Sequence, residues 1–312
     1  MKLLVTGGCG YVGTKLTQTL LARTEHEITV FDAQWFGNHL EPHPRLTIRQ
    51  IDIRRIDDVD LAGFDTIFHL ANVANDPAVE LNPYASWEIN VLATMRLVDR
   101  AARQGVRQIV FASSASVYGL KSEPRVTEDL ELSPISEYNK TKMVAERVIL
   151  SYGGSLLTTI IRPATVCGPS PRMRLDLTVN LLTMQALTRG AMTVLGGSQV
   201  RPNIHIDDLV DVYLFALDRR IAGIYNAGFE NLSVLEIAER IAGHVSAEVK
   251  MLPSNDPRSY RVCSDRLLAA GYAPKKNVTT AIEEMVADYR NGRIKDEPVS
   301  YNVNWMKQHQ LG

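Results

Sequence analysis

The 312-residue chain is poor in cysteine: Cys9, Cys167 and Cys263 are far apart, and no C-x-x-C pair occurs. An odd, scattered set supports neither a disulfide framework nor a metal site, and it fits a reduced, cytoplasmic compartment. An excess of one charge is also lacking. With 34 Lys and Arg against 35 Asp and Glu, the net charge is −1, which removes the electrostatic case for a nucleic-acid or membrane-surface partner. No apolar run approaches the ~20 residues that cross a bilayer. The first residues read as a core strand, with no signal-peptide pattern ahead of it. Internal repeats and low-complexity segments are missing too. What remains is ordinary for a globular protein, 45% hydrophobic and 22% charged, and long enough to bury a large core as one or two closely joined domains.

The most informative stretch is Leu4-Val5-Thr6-Gly7-Gly8-Cys9-Gly10-Tyr11-Val12-Gly13. An apolar strand runs into glycines spaced G-x-x-G-x-x-G, and a helical pattern follows. Such a strand–turn–helix lets backbone approach a pyrophosphate and rest it on a helix N-terminus. Strands are predicted at Lys2–Thr6, Glu27–Phe31, Leu46–Gln50, Asp65–Leu70, Gln108–Ser113, Leu156–Arg162 and Gly223–Asn226. Helices are predicted at Tyr11–Arg23, Pro83–Gln104 and Glu137–Tyr152 in the first half. Alternation of buried strands with amphipathic helices predicts a parallel sheet covered on both faces. Ligands then bind beyond the C-terminal strand ends. After residue 163 the rhythm changes, with Pro163, Pro169 and Pro171 followed by Arg172 and Arg174. Further helices are predicted at Leu177–Thr188, Asp207–Leu217, Val234–Ala242 and Thr280–Tyr289. These suggest a smaller lobe interleaved with the first. The tail after Pro298, with Tyr301, Trp305 and His309, has no assigned role.

Asp32 ends the second strand, 19 residues beyond Gly13. A carboxylate there accepts from both adenosine ribose hydroxyls and repels a 2′-phosphate, and no Arg or Lys follows at once; this favours NAD over NADP. Asp52 and Ile53 follow the third strand, where they can flank adenine. His69, on an apolar strand, reads as a packed histidine. Leu70 and Ala71 come next, beside the middle of the cofactor. Tyr138 and Lys142 are four apart on one helix face. A phenol of ordinary pKa near ~10 is a poor base, and a neighbouring ammonium favours its phenolate. Upstream, Ser113-Ser114-Ala115-Ser116-Val117-Tyr118-Gly119 stands at the end of the fifth strand, where a hydroxyl can hold a reacting oxygen beside Tyr138.

In combination, T-G-G-x-G-Y-x-G, Asp32, the His69 motif, Asn90 in Asn-Val-Leu-Ala-Thr, S-S-x-x-V-Y-G and Y-x-x-x-K resemble the extended short-chain dehydrogenase/reductases. Within them the chain is most similar to NAD-dependent nucleotide-sugar epimerases and dehydratases. The resemblance implies a Rossmann-type, doubly wound parallel sheet with a smaller, interleaved C-terminal substrate lobe. The NAD-binding part is then residues 1–165 with return segments near 202–228, and the substrate lobe is 166–201 with 229–312. It implies Tyr138, Lys142 and Ser114 as catalytic residues. Cofactor contacts follow at Gly7, Gly10, Tyr11, Val12, Gly13, Asp32, Asp52, Ile53, Leu70, Ala71, Asn90, Ser113, Tyr138, Lys142 and Pro163. Substrate contacts follow at Ser114, Tyr138, Asn180, Arg201 and Arg258, with a nucleotide sugar as substrate.

Family 4,6-dehydratases typically place Asp-Glu, or a close variant with Glu, after the catalytic hydroxyl, whereas this chain has Ala115 and Ser116; 4-epimerases usually have small or hydroxyl residues there. The expectation is therefore epimerisation at C4 through a 4-keto sugar. A dehydrogenase or ketoreductase, a dehydratase, and a non-catalytic dinucleotide-binding protein stay open as alternatives. Family members are usually homodimers joined through the helices matching Pro83–Gln104 and Glu137–Tyr152.

Overall fold

The computed structural model describes residues 1–254 and 259–311. The first half runs β1 (Lys2–Thr6), α1 (Tyr11–Arg23), β2 (Glu27–Asp32), β3 (Leu46–Gln50), β4 (Thr66–His69), α2 (Asp76–Val79), α3 (Pro83–Trp87), α4 (Ala93–Arg103), β5 (Gln108–Ala112), α5 (Glu137–Leu150) and β6 (Leu157–Pro163). The second half runs β7 (Thr165–Cys167), α6 (Thr178–Arg189), β8 (Ala191–Leu195), β9 (Val200–His205), α7 (Ile206–Arg219), β10 (Gly223–Ala227), β11 (Glu230–Ser233), α8 (Val234–His244), β12 (Glu248–Leu252), α9 (Asp265–Ala269), α10 (Val278–Arg290) and α11 (Asn302–His309).

Seven strands form one sheet in the order β10-β6-β5-β4-β1-β2-β3, every pair parallel. Successive strand residues point to opposite faces, and β1 shows the consequence. Leu4 packs with Ile67, Ile109 and Ile160 against α4 and α5. Leu3 and Val5 pack with Val30, Val110 and Ile161 against α7. Burial on both faces explains why the strands read as unbroken apolar runs. The strand order reverses beside β1, so the C-terminal ends of β1, β4 and β5 open onto a crevice between diverging connections. Two small sheets, β11-β9-β7 and β12-β8, lie outside this one.

The structure departs from the expected single helix over Pro83–Gln104. It has α3, a wider π-helical turn at Glu88–Leu92, and then α4. The turn contains Asn90, whose Oδ1 accepts from Val73 N at 2.8 Å while its Nδ2 donates to Val73 O and the Thr141 hydroxyl. The widened turn therefore faces a side chain inward to bind a loop and a neighbouring helix, a need that helical periodicity does not report.

One buried network fixes α5 to the sheet. Glu146 takes two hydrogen bonds from Arg162 on β6, at 2.9 and 2.7 Å, and a third from the Ser113 hydroxyl. Arg162 also donates to the Tyr118 hydroxyl at 2.8 Å, which donates to Asn226 on β10 at the same distance. Both charged side chains are at most 2% exposed. Arg162→Met leaves the Glu146 carboxylate buried without its countercharge, and is expected to lower the unfolding free energy by about 3–5 kcal/mol. Adding Glu146→Leu should recover much of that loss; urea unfolding of the single and double variants measures both.

Candidate active site

The glycine turn is shaped by close approach. Gly7 has φ +75°, and a Cβ there would lie 2.6 Å from Ala71 N. A Cβ on Gly13 would lie 2.1 Å from Gly7 O, where nothing fits. Helix α1 starts at Gly10 with no side-chain cap and no acid in its first turn. Its N–H groups and the positive end of its dipole are thus left for an anion. Asp32 is oriented by two backbone donors, Cys9 N at 2.9 Å and Gln34 N at 2.6 Å. Burial raises its pKa from the ordinary carboxylate value, and those two donors oppose the shift. The remaining lone pairs suit ribose hydroxyls, so the residues present fit a dinucleotide.

Three cavities that share walls run along the crevice. The first is bounded by Gly7, Gly10, Asp32, Asp52, Ile53, Leu70 and Ala71, with Trp35 and Phe36 across from them. The second joins the glycine turn, through Tyr11, Val12 and Gly13, to Ser113, Tyr138, Lys142 and Pro163. The third continues from Tyr138 past Ser114, Ser116, Arg174, Asp176, Arg201 and Tyr260. Tyr138 stands where the second and third meet.

Tyr138, Lys142 and Glu146 follow one another by single turns on α5, so they share a face. Lys142 donates from Nζ to Ala112 O at 2.6 Å, at the end of β5. Burial lowers its pKa to about 7, and Glu146 acts in the opposite direction. Glu146 thereby helps Lys142 keep its charge, while Arg162 compensates Glu146. Removal from water pushes the Tyr138 phenol up to about 12; Arg174 is the largest opposing influence, followed by a hydrogen bond with Ser114. Ser114 Oγ also lies 2.8 Å from Ser116 Oγ.

Some expected site residues sit elsewhere. Asn90 lines none of these cavities, since its amide spans Val73 and Thr141. Asn180 is fully buried; it accepts from Gly168 N at 3.0 Å and donates to Tyr11 Oη and Arg174 O. In this structure both amides hold neighbouring segments in place. Arg258 lies outside the described residues. His69 is packed: its ring nitrogens meet the hydroxyls of Thr6 and Thr94 at 2.7 and 2.8 Å, and burial lowers its pKa to about 3.

Sequence reasoning missed the parts played by Arg174, Arg172, Tyr260 and Glu146. Glu146 was within reach, as the next turn after Tyr138 and Lys142. Ligand atoms of His205, Asp207 and Glu284 lie within 4.8 Å of one another, but the Lys276 ammonium already bridges Asp207 and Glu284.

A Gly-rich turn under a helix, an acid at the end of β2 and a Ser–Tyr–Lys set at one crevice define an NAD-dependent short-chain dehydrogenase/reductase of the extended type. The chain belongs to the NAD-dependent epimerase/dehydratase family, whose model matches residues 3–228. It is 29% identical to a UDP-glucose 4-epimerase of Corynebacterium glutamicum, over 91% of this chain and 94% of that protein. It is also 29% identical to UDP-glucuronic acid decarboxylase 1 of Arabidopsis thaliana, over 95% and 71% of the two chains. Among solved structures, the dTDP-glucose 4,6-dehydratase DesIV of Streptomyces venezuelae, with NAD bound, superposes with a TM-score of 0.87. That match has 26% identity and covers 96% of this chain and all of the other (100%). NAD is the cofactor of the family. Among the described residues, no helix is long and apolar enough to cross a membrane.

The phenol must lose a proton to act as a base, and its value lies above the ordinary one, so the base form grows as pH rises. Removing the Arg174 charge raises the value further. Arg174→Met should therefore move the rising limb of kcat/KM to higher pH; a shift to lower pH would contradict the assigned electrostatics.

Proposed function

We propose that this chain is an NAD-dependent nucleotide-sugar epimerase acting at C4 of the sugar. The observation that carries the reading is the pair of residues after Ser114, of which Ser116 lines the cavity beside Tyr138. Ala115 is fully buried and Ser116 offers only a hydroxyl, at the two positions where 4,6-dehydratases of the family place acids. When bound, NAD would supply reversible hydride transfer at C4. Gly7, Gly10, Gly13 and Asp32 hold the dinucleotide. Ser114 holds the 4-hydroxyl oxygen, and Tyr138 as phenolate takes its proton. Lys142 supports the phenolate by its charge. The 4-keto sugar then turns in the cavity, and Tyr138 returns the proton as C4 is reduced on its other face. No net oxidation results. Arg201, on the cavity wall, is proposed to meet the nucleotide part of the substrate. Residues 1–165 with 202–228 would hold NAD, and 166–201 with 229–312 the sugar nucleotide.

One observation favours a second reading, dehydration: Asp76 and Asp176 also line the third cavity. Against it, Asp176 is ion-paired with Arg174 at 2.8 Å and Asp76 accepts the Ser136 hydroxyl at 2.5 Å. A free general acid would need neither contact. Incubation with UDP-, dTDP-, GDP- and CDP-hexoses, followed by proton NMR and absorbance at the reduced-nicotinamide band, separates the outcomes. The expected product is the 4-epimer with no lasting NADH signal; loss of water, carbon dioxide release or stoichiometric NADH would replace the reading. Tyr138→Phe should cut turnover by about 10²–10⁴-fold with NAD still bound.

A homodimer through Pro83–Gln104 and Glu137–Tyr152 is also proposed, because Tyr84, Leu92 and Met95 of the first segment are 77%, 43% and 43% exposed. Met95→Glu should shift the sedimentation coefficient from dimer to monomer. The chain is proposed to work in the cytoplasm, where its three buried free thiols meet a reducing environment.

A further inference from the structure

Arg172 is 3% exposed. It reaches the cofactor crevice from the segment that crosses above the start of α1. That crossing is tied down twice: Tyr11 Oη donates to Gly168 O at 2.7 Å, and Ser170 Oγ donates to Tyr11 O at 2.8 Å. The Arg172 guanidinium lies over the Phe36 ring, 4.2 Å from its centroid. One amino group donates to Asn302 Oδ1 at 2.6 Å. Its Nε–H is buried with no hydrogen-bond partner, and among the described residues no carboxylate pairs with it. The side chain lines the same cavity as Gly7, Gly10 and Gly13.

A buried guanidinium without a countercharge is costly. The cost here is increased by Arg174 nearby, whose Nη2 is also buried and unpartnered. Asp32 acts on Arg172 at a distance but does not form an ion pair with it. Such a pair of donors beside an uncapped helix start calls for a dianion rather than a neutral group. Guanidinium geometry matches phosphate oxygens, and such charge-assisted bonds are the strong ones.

The C-terminal helix keeps this arrangement in place. Asn302, on its first turn, holds Arg172. Trp305 donates from Nε1 to Trp35 O at 2.8 Å, fixing the loop that carries Phe36. Met306 is buried in the main core.

We propose that Arg172 binds the diphosphate of the dinucleotide from the side opposite the glycine turn, and that the helix Asn302–His309 is the latch that holds it there. The cofactor's diphosphate is then gripped between α1 and a residue of the substrate segment. This rests on the dinucleotide site and is independent of the epimerase reading.

The test measures affinity of the nucleotide-stripped, full-length protein for NAD, ADP-ribose and adenosine, by calorimetry and, for weak binding, by competition NMR. Arg172→Gln should weaken NAD and ADP-ribose by about 10–100-fold and leave adenosine within about twofold, since adenosine has no diphosphate. Asn302→Leu should weaken the same two ligands less, because the charge remains but is not oriented. Unchanged ADP-ribose affinity in Arg172→Gln would overturn the proposal. So would an equal loss for adenosine, which would mark Arg172 as a support of the nucleoside pocket. Should Arg172→Gln not fold, Arg172→Lys carries the test. It keeps the charge but loses the fork, so an ADP-ribose affinity equal to that of the unaltered protein would overturn the proposal.

Discussion

The site depends on one buried ion pair. Glu146 and Arg162 join α5 to β6 with two hydrogen bonds in the interior. Around them gather Ser113 from the end of β5, Tyr118 from the following turn and Asn226 from β10. The pair sets both the position and the electrostatics of the α5 face that carries Tyr138 and Lys142. Tyr138, Lys142 and Glu146 lie on one line along α5, so the anchoring of Glu146 also places the other two. Burial works against a charged Lys142, and Glu146 works for it. Without Arg162, the carboxylate would itself be an uncompensated buried charge. A chain of three ionic groups therefore runs from the sheet to the phenol.

The rest of the crevice is a run of connected cavities with Tyr138 in the middle. At one end the glycine turn leaves the start of α1 open to a diphosphate, and Asp32 is oriented for a ribose. At the other end Arg174 and Arg201 line the third cavity. Tyr138 stands between. Arg174 lines the cavities on both sides of it and is the main charge opposing the rise in its pKa. An arginine from the segment after β7 thus tunes a group on α5, and this segment differs most from anything the motifs describe.

What the sequence made legible is what is local. The strand, turn and helix from Lys2 to Arg23 have their apolar run, glycines and helical pattern within a few residues of one another. Tyr138 and Lys142 are separated by a single helical turn. Asp32 is a strand end. The residues that were not legible act across long separations: Arg172 meets Asn302 130 positions away, and Trp305 meets Trp35 across 270. Periodicity carries no record of such pairings. Asn90 and Asn180 are expected at ligands because the family resemblance places them there. In the fold, the same amides satisfy buried backbone groups of Val73, Gly168 and Arg174, which must find partners once removed from water. The π-helical turn at Glu88–Leu92 likewise answers a tertiary demand made by Asn90.

The central claim is that Tyr138 and its ionic support serve a reversible transfer at C4 with no net redox change. It is tested most directly with a nucleotide sugar carrying deuterium at C4, in ordinary water, with the products followed by NMR and by absorbance at the reduced-nicotinamide band. The account predicts that the deuterium appears at C4 of the epimer, undiluted by solvent, while no reduced nicotinamide is released. Deuterium lost to water, or left on released NADH, would contradict it.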